Sequence, residues 1–254
     1  MAAQLEGLTT AHLGRTWIAL SSVDSTNNYL KEQAFSLPHG TLVTAREQTK
    51  GRGRRGNTWS FRPGSALAMS VLLHKIPQQS LTHLPLLCGL ALTRGLSCGC
   101  TLKWSNDVLL NGRKLCGILC ESRIGETISV VCGFGINLTQ TREDFQAAGL
   151  PYAASILSET GENLTPEAAA AQVLNALEAI WEQYCREGFE SLREEYCRVC
   201  VTLGRPVRVL YEGSTVEGTA VDIAGDGSLL CRTPQGDITV RAGEASVRGL
   251  YGYV

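Results

Sequence analysis

The chain reads as an α+β protein: a β-sheet flanked by helices, followed by a small β-barrel. Three features point there. Short β-branched and aliphatic runs alternate with helical stretches from Thr16 to Val199. Within that region Asn111-Gly112 separates two apolar runs, the hairpin signal of a type I′ turn. From Leu203 onward the helical spacing stops, and short β-runs are divided by Gly225-Asp-Gly227 and Pro234-Gln-Gly236, as in a small closed or half-closed barrel. The division places one domain at residues 1–202 and a second at 203–254.

Taken in order, Thr16 to Leu20 is a strand that runs into Asp24-Ser25-Thr26-Asn27, where capping residues precede a helix through Ala34. Thr41 to Ala45 and Ala66 to Leu73 are strands, and Leu81 to Leu96 has the apolar spacing of a buried helix. Thr101 to Trp104, Val108 to Cys120 (with its Asn-Gly turn) and Thr127 to Gly133 complete the strands of the first part. Thr165-Pro166 is an N-cap with proline at the first helical position. Val173, Leu174, Leu177, Ile180, Trp181 and Tyr184 then share one helical face. A further helix spans Phe189 to Val199, and Val207–Tyr211, Thr215–Asp222, Leu229–Thr233 and Asp237–Arg241 are the barrel strands.

Composition excludes several classes. At 254 residues, with 44% hydrophobic and 19% charged residues, the chain is globular rather than disordered. A net charge of −1 gives no general attraction to nucleic acid or anionic membrane. Met1 to Ala11 lacks a secretory pattern, and Leu84 to Leu92 is short for a bilayer and broken by Pro85 and Gly89, so a cytoplasmic protein is expected. The ten cysteines are scattered among aliphatic neighbours. Cys197-Arg-Val-Cys200 has metal-like spacing, but no second such pair or close histidine pair completes four ligands. The cysteines therefore read as reduced thiols serving as small hydrophobes, and no metal is assigned to them.

Against that neutral background, four of the seven residues from Lys50 to Gly56 are cationic. Glycines separate the charges, so the backbone can adopt positive φ and approach a ligand, while N–H groups and guanidinium forks converge as an anion requires. The loop has neither the ending of a P-loop nor a dinucleotide-binding glycine pattern, and Trp59 beyond it offers a flat face to an aromatic base. A solvated basic turn and an Arg-Gly nucleic-acid segment both predict repetition or a wider basic surface, which the sequence lacks. A second constellation, Lys103-Trp-Ser-Asn-Asp107, puts a lysine and turn-forming polar groups at a strand end, faced by Arg113-Lys114 of the hairpin. A third, Ser25-Thr26-Asn27 with Gln48, offers donors and acceptors suited to a polar heterocycle; ordinary helix capping explains part of it.

Together these segments resemble the biotin protein ligases. Asp24-Ser-Thr-Asn27, Glu47-Gln-x-x-Gly-Arg-Gly-Arg-Arg-Gly56, Lys103-Trp-x-Asn-Asp107, Arg113-Lys-x-x-Gly-Ile-Leu119 and Gly133-x-Gly-Ile-Asn137 occur in that family's order and spacing, over roughly residues 16 to 250. The resemblance implies a mixed sheet of the class II aminoacyl-tRNA-synthetase-like, biotin–lipoate ligase type, with an SH3-like C-terminal barrel. It implies an enzyme that uses Mg²⁺ and ATP to convert biotin to biotinyl-5′-AMP and passes the biotinyl group to a lysine of a biotin carboxyl carrier protein. By similarity, Lys103 and Arg54 are catalytic; Ser25, Thr26, Asn27, Gln48, Arg52, Gly53, Arg54 and Lys103 hold biotin; and Arg52, Trp59 and Asn137 lie beside the adenylate. No protein side chain is assigned to the metal. The loop is expected to close over the intermediate. Ser105 stands where the family has proline, which loosens that turn. About fifteen residues precede the first strand, so no DNA-binding domain, DNA partner or repressor activity is expected, no membrane partner either, and the chain is a monomer or a homodimer. Alternatives carried alongside are a lipoate or octanoate ligase or transferase of the same fold, a nucleic-acid-binding regulator using the basic loop, and a ligand-binding relative without turnover.

Overall fold

The computed structural model describes residues 5–211, 214–242 and 246–249. Strand β1 (Trp17–Leu20) leads through Ser25 into α1 (Thr26–Glu32), and β2 (Leu42–Ala45) returns parallel to β1. The wholly buried β3 (Ala66–Leu73) precedes α2 (Leu84–Leu96). Next come β4 (Thr101–Lys103), β5 (Asp107–Leu110), β6 (Arg113–Ile124) and β7 (Ile128–Asn137), all antiparallel to their neighbours. The sheet order is β1-β2-β3-β7-β6-β5-β4, so a single parallel pair makes it mixed.

Asn111 and Gly112 take φ of 50° and 75°, the left-handed conformation at both turn positions that a type I′ hairpin needs. The end of β6 runs past the buried region into solvent, from Ser122 to Ile124, while β7 is buried from Ser129 onward. Short helices α3 (Arg142–Ala147) and α4 (Ile156–Thr160) follow. Neither has an apolar repeat long enough to read in sequence. Each is started by a capping box, Thr141 with Asp144 and Ser155 with Ser158. Helix α5 (Pro166–Glu187) begins where Thr165 accepts a hydrogen bond from the Ala168 N–H, and α6 (Glu190–Val199) closes the first part.

Alternation along the strands sorts the sheet into two faces. Leu67, Met69, Val71, Cys132, Phe134, Cys116 and Ile118 belong to the core shared with α2 and α5. Leu72 and Val131 turn the other way, to pack with Val43 beneath Leu30 of α1. Between Gly117 and Gly135 that second face carries little side-chain bulk, and the ligand cavity lies there.

The second sheet comprises β8 (Pro206–Tyr211), β9 (Ser214–Ile223), β10 (Leu229–Thr233), β11 (Gly236–Val240) and β12 (Ser246–Gly249), in the antiparallel order β11-β10-β9-β8-β12. The four expected strands are present with small shifts of boundary, and β12 is an additional one. Among the described residues no ladder joins β11 to β12. Residues 250–254 of the expected barrel, like residues 1–4, lie outside the described part. The β9–β10 turn docks on the first sheet: the Gly227 carbonyl accepts from the Trp104 indole at 3.1 Å, and the Gly225 carbonyl lies 3.0 Å from His83 Nε2. His83 in turn stacks on Phe189 with centroids 4.6 Å apart. None of the ten cysteines is in a disulfide, and no described helix is long and apolar enough to cross a membrane.

Glu178 of α5 holds the segment that feeds β1. It is buried, and its carboxylate accepts from the backbone N–H groups of Ala11, His12 (2.8 Å) and Leu13 (2.9 Å). Glu178→Ala leaves those donors without an acceptor inside the fold, and each charged hydrogen bond contributes about 1.5–3 kcal/mol. The substitution is expected to lower unfolding free energy in urea by about 2–4 kcal/mol. A loss below half a kcal/mol would show that these contacts do not hold the segment.

Candidate active site

The charged loop forms a small hairpin. Arg52 and Thr58 are bridged, Trp59 N–H donates to Gly51 O at 3.0 Å, and a turn over Arg54–Gly56 makes the tip. Its base is tied to the α1 entry, where Lys50 N–H donates to Asp24 O at 2.8 Å. Only Gly56 of the three glycines has positive φ, together with Arg55 at 55°. Gly51 is needed for space instead, since a Cβ there would overlap the Trp59 carbonyl. The positive φ expected of the glycine loop is thus taken at Gly56, and not at Gly51 or Gly53.

Beneath the loop lies a cavity of about 410 Å³. Gly117 and Gly135 are paired across β6 and β7, as are Leu119 and Gly133, and all four residues line the cavity. These three glycines make the floor. A Cβ at Gly133 would overlap the Asn27 amide, and one at Gly135 would lie 2.5 Å from the Trp59 ring. The repeated glycine of Gly133-Phe-Gly135 therefore lets a tryptophan and an asparagine settle against the sheet.

Five cationic side chains line this volume, Arg52, Arg54, Arg55, Lys103 and Lys114, against one carboxylate, Asp107. Each described anchor is specific. Arg54 Nη1 donates to Asn106 Oδ1 at 2.6 Å and to Ser105 Oγ at 3.0 Å. Arg52 lies 3.1 Å from Glu121, which also pairs with Lys31 at 2.8 Å, and it donates to Asn28 Oδ1 at 2.9 Å. Lys114 pairs with Asp107 at 2.7 Å. Lys103, only 9% exposed, ends β4 opposite Asp107. Burial, and then the neighbouring Arg55, hold the Arg54 guanidinium below its ordinary range. Burial pushes the Glu121 carboxyl up, but Lys31, Asn27 and Arg52 outweigh it and hold the group below the usual carboxylate value.

The far wall is polar and uncharged. Ser25, Thr26, Asn27 and Gln48 line it, and the first three are buried. Ser25 makes no side-chain cap bond to α1, which departs from the capping expectation. Gln48 Oε1 instead accepts from Thr26 N (2.8 Å) and Thr26 Oγ1 (3.1 Å). Asn27 Nδ2 donates to Leu119 O and Glu121, and its Oδ1 lies 2.6 Å from Ser70 Oγ. Asn27 thus spans α1, β3 and β6 as a strut.

The fold brings together Ser25, Thr26, Asn27, Gln48, Arg52, Gly53, Arg54, Trp59 and Lys103. Asn137 is the exception. It lies outside the cavity, where its amide donates to Ala154 O at 3.0 Å and its Oδ1 accepts from Gln140 at 3.0 Å. Its role is to join β7 to the loop beyond, because the last residue of the motif falls past the glycine floor. Glu121, the anchor of Arg52, escaped the sequence reading, although a period of two from Gly117 through Leu119 puts it on the same face. Ser105 also differs from expectation: its hydroxyl accepts from Arg54, a bond that proline cannot make.

Residues 19–137 match the model of the biotin/lipoate A/B protein ligase family, and residues 202–248 match that of the biotin protein ligase C-terminal domain. The biotin–[acetyl-CoA-carboxylase] ligase of Paracoccus denitrificans is 32% identical over 91% of this chain and all of its own length. The bifunctional ligase/repressor BirA of Bacillus spizizenii is also 32% identical, with 73% of its length covered. Among solved structures, the biotin protein ligase from Aquifex aeolicus in complex with biotin and ATP superposes with a TM-score of 0.82 at 30% identity, covering 92% of this chain and 99% of that one. On both of its sheets, and over nearly its whole length, the chain belongs to the biotin protein ligase family.

Proposed function

We propose that this chain activates biotin with ATP as biotinyl-5′-AMP and transfers the biotinyl group to a lysine of a biotin carboxyl carrier protein. The observation that carries the reading is the cavity itself: five cations over a glycine floor, beside an uncharged polar wall. We assign this chemistry to the part up to residue 202, with strands β8 to β12 as an appended unit.

In the first step a biotin carboxylate oxygen attacks the α-phosphorus and pyrophosphate leaves. Two like charges about 4 Å apart repel by about 4 kcal/mol in a partly wet site, so cations held in place beforehand remove most of the barrier from approach. Lys103 and Arg54 serve the carboxylate and the α-phosphate, with Arg52 and Gly53 of the loop over the biotinyl end. The polar wall reads the ureido ring. Thr26 occupies the Gln48 oxygen, which orients Gln48 Nε2 as the donor, and Ser25 adds a hydroxyl. Trp59 offers its outer face to the adenine. Asp107, the carboxylate of the lining, would hold the Mg²⁺ that accompanies the nucleotide, and the ion would supply positive charge against the phosphates.

In the second step the carrier lysine, as a neutral amine, attacks the acyl carbon. A C–N bond forms, the acyl C–O bond to phosphate breaks, AMP leaves, and the amine proton passes to solvent. Lys103 polarises the carbonyl. The loop also excludes water from the mixed anhydride.

Incubating the chain with biotin, Mg-ATP and a carrier domain should add one biotinyl mass to that domain. An unmodified carrier alongside active pyrophosphate release would overturn the transfer step, and absence of both would overturn the reading. Lys103→Ala should lower biotin-dependent pyrophosphate exchange by at least about 100-fold, the scale of losing one positioned electrostatic group. Exchange at the wild-type rate would remove Lys103 from the mechanism.

The Arg52 anchor has its own pH signature. Glu121 is held below its ordinary value of 4.5, so its contribution is complete above that pH and is lost as pH falls through the lower folded-state value. The difference in Tm between wild type and Glu121→Gln should stay flat from about pH 5 to 8 and shrink below about pH 4. A difference that grows on acidification would contradict this assignment.

A further inference from the structure

Directly behind the glycine floor, on the α2 face of the sheet, three cysteines converge. Cys120 and Cys132 are paired across β6 and β7 with their sulfurs 3.7 Å apart, and Cys88 of α2 descends onto them. All three Sγ atoms lie within 4.8 Å of one another. Among the described residues no other three His, Cys, Asp or Glu side chains meet in this way. Cys116, two rows along the same face of β6, is outside the triangle.

We propose that Cys88, Cys120 and Cys132 form a three-coordinate site for a soft monovalent metal ion of the Cu(I) type. Three sulfurs around an ion at about 2.3 Å stand about 4.0 Å apart in a planar arrangement, so the Cys120–Cys132 edge, at 3.7 Å, opens only slightly and every edge already lies within 4.8 Å. Zinc takes four ligands, and no fourth His, Cys, Asp or Glu joins this cluster, whereas Cu(I) favours thiolate sulfur. The donors stand on two paired strands and a packed helix rather than on loops, and so are held near the binding geometry. Cys88 and Cys132 are fully buried, and Cys120 is partly so. Binding proceeds as Cu⁺ plus three thiols giving a copper bound by two thiolates and one thiol, with two protons released. The complex carries one negative charge.

The site also touches the ligand cavity mechanically. Cys120 sits between Leu119, whose carbonyl holds Asn27, and Glu121, which anchors Arg52. Seating an ion in the triangle therefore shifts β6 at the residue between those two anchors.

A second thiol pair, Cys98 and Cys100 with sulfurs 3.2 Å apart, would compete for copper, so the test uses Cys98→Ala/Cys100→Ala as its background. Reduced protein of that background is titrated anaerobically with Cu(I) held by bicinchoninate. The expected result is one copper withdrawn per chain, with three sulfur neighbours by X-ray absorption. Adding Cys88→Ala, Cys120→Ser or Cys132→Ala should each lower the affinity at least tenfold. Uptake of no copper, two sulfur neighbours, or unchanged affinity after Cys120→Ser would overturn the site. The Cys120 position is partly buried and the absorption spectrum needs no core substitution, so poor folding of the Cys88 or Cys132 variants leaves the result decisive.

Discussion

The structure depends on holding mutually repelling cations in one small cavity. A protein of near-zero net charge has no overall field to draw anions in, so its binding power has to come from local concentration. Each cation pushes on the others, and three of the five, Arg52, Arg54 and Lys114, are held by named groups on the sheet or the turn before it. Glu121 takes Arg52 and Lys31 together, Asp107 takes Lys114, and Asn106 with Ser105 takes Arg54. The anchors lie on β5, β6 and the turn before them, so the charge of the loop is stored in the geometry of the sheet. Exposed pairs of this kind contribute little to folding, and their effect is to fix where positive charge stands.

That storage requires a sheet with unlike faces. On the α2 side the strands present Met69, Phe134, Cys132 and Ile118, and the core closes around them. On the other side the same strands present Gly117, Gly133 and Gly135, and the space left by three side chains becomes the binding cavity. Every second residue of Gly133-Phe-Gly135 therefore has a different task. One register of β6 against β7 sets both the floor of the site and, behind it, the meeting of Cys120 with Cys132.

Much of this was legible in the chain, for physical reasons that differ by element. Strands and long helices announced themselves through period and caps, as in Ala66–Leu73, Asn111-Gly112 and Thr165-Pro166. The short α3 and α4 did not, since a five- or six-residue helix is held by its capping boxes rather than by an apolar stripe. Within the site, the charged and polar motif residues came together, while Asn137 turned away because its motif continues beyond the cavity. Glu121 and the Cys88–Cys120–Cys132 triangle were hidden for one common reason: their partners are distant in sequence, and only the packing of α1, α2 and the loop on the sheet brings them together.

Ser105 shows how a departure from a family pattern can be compensated. Proline in that turn would restrict the backbone between Trp104 and Asn106, and serine gives up that restriction. Three bonds hold this segment, of which only the last depends on serine at 105. Trp104 N–H donates to Thr202 Oγ1 at 2.9 Å, its indole reaches Gly227 O, and the Ser105 hydroxyl accepts from Arg54. The first two tie the turn to the segment entering the second sheet and to its β9–β10 turn. The third ties it to the loop. The turn is thus the point where the segment entering the C-terminal sheet, the lysine strand and the arginine loop meet, and through Ser105 and Asn106 it sets where Arg54 stands.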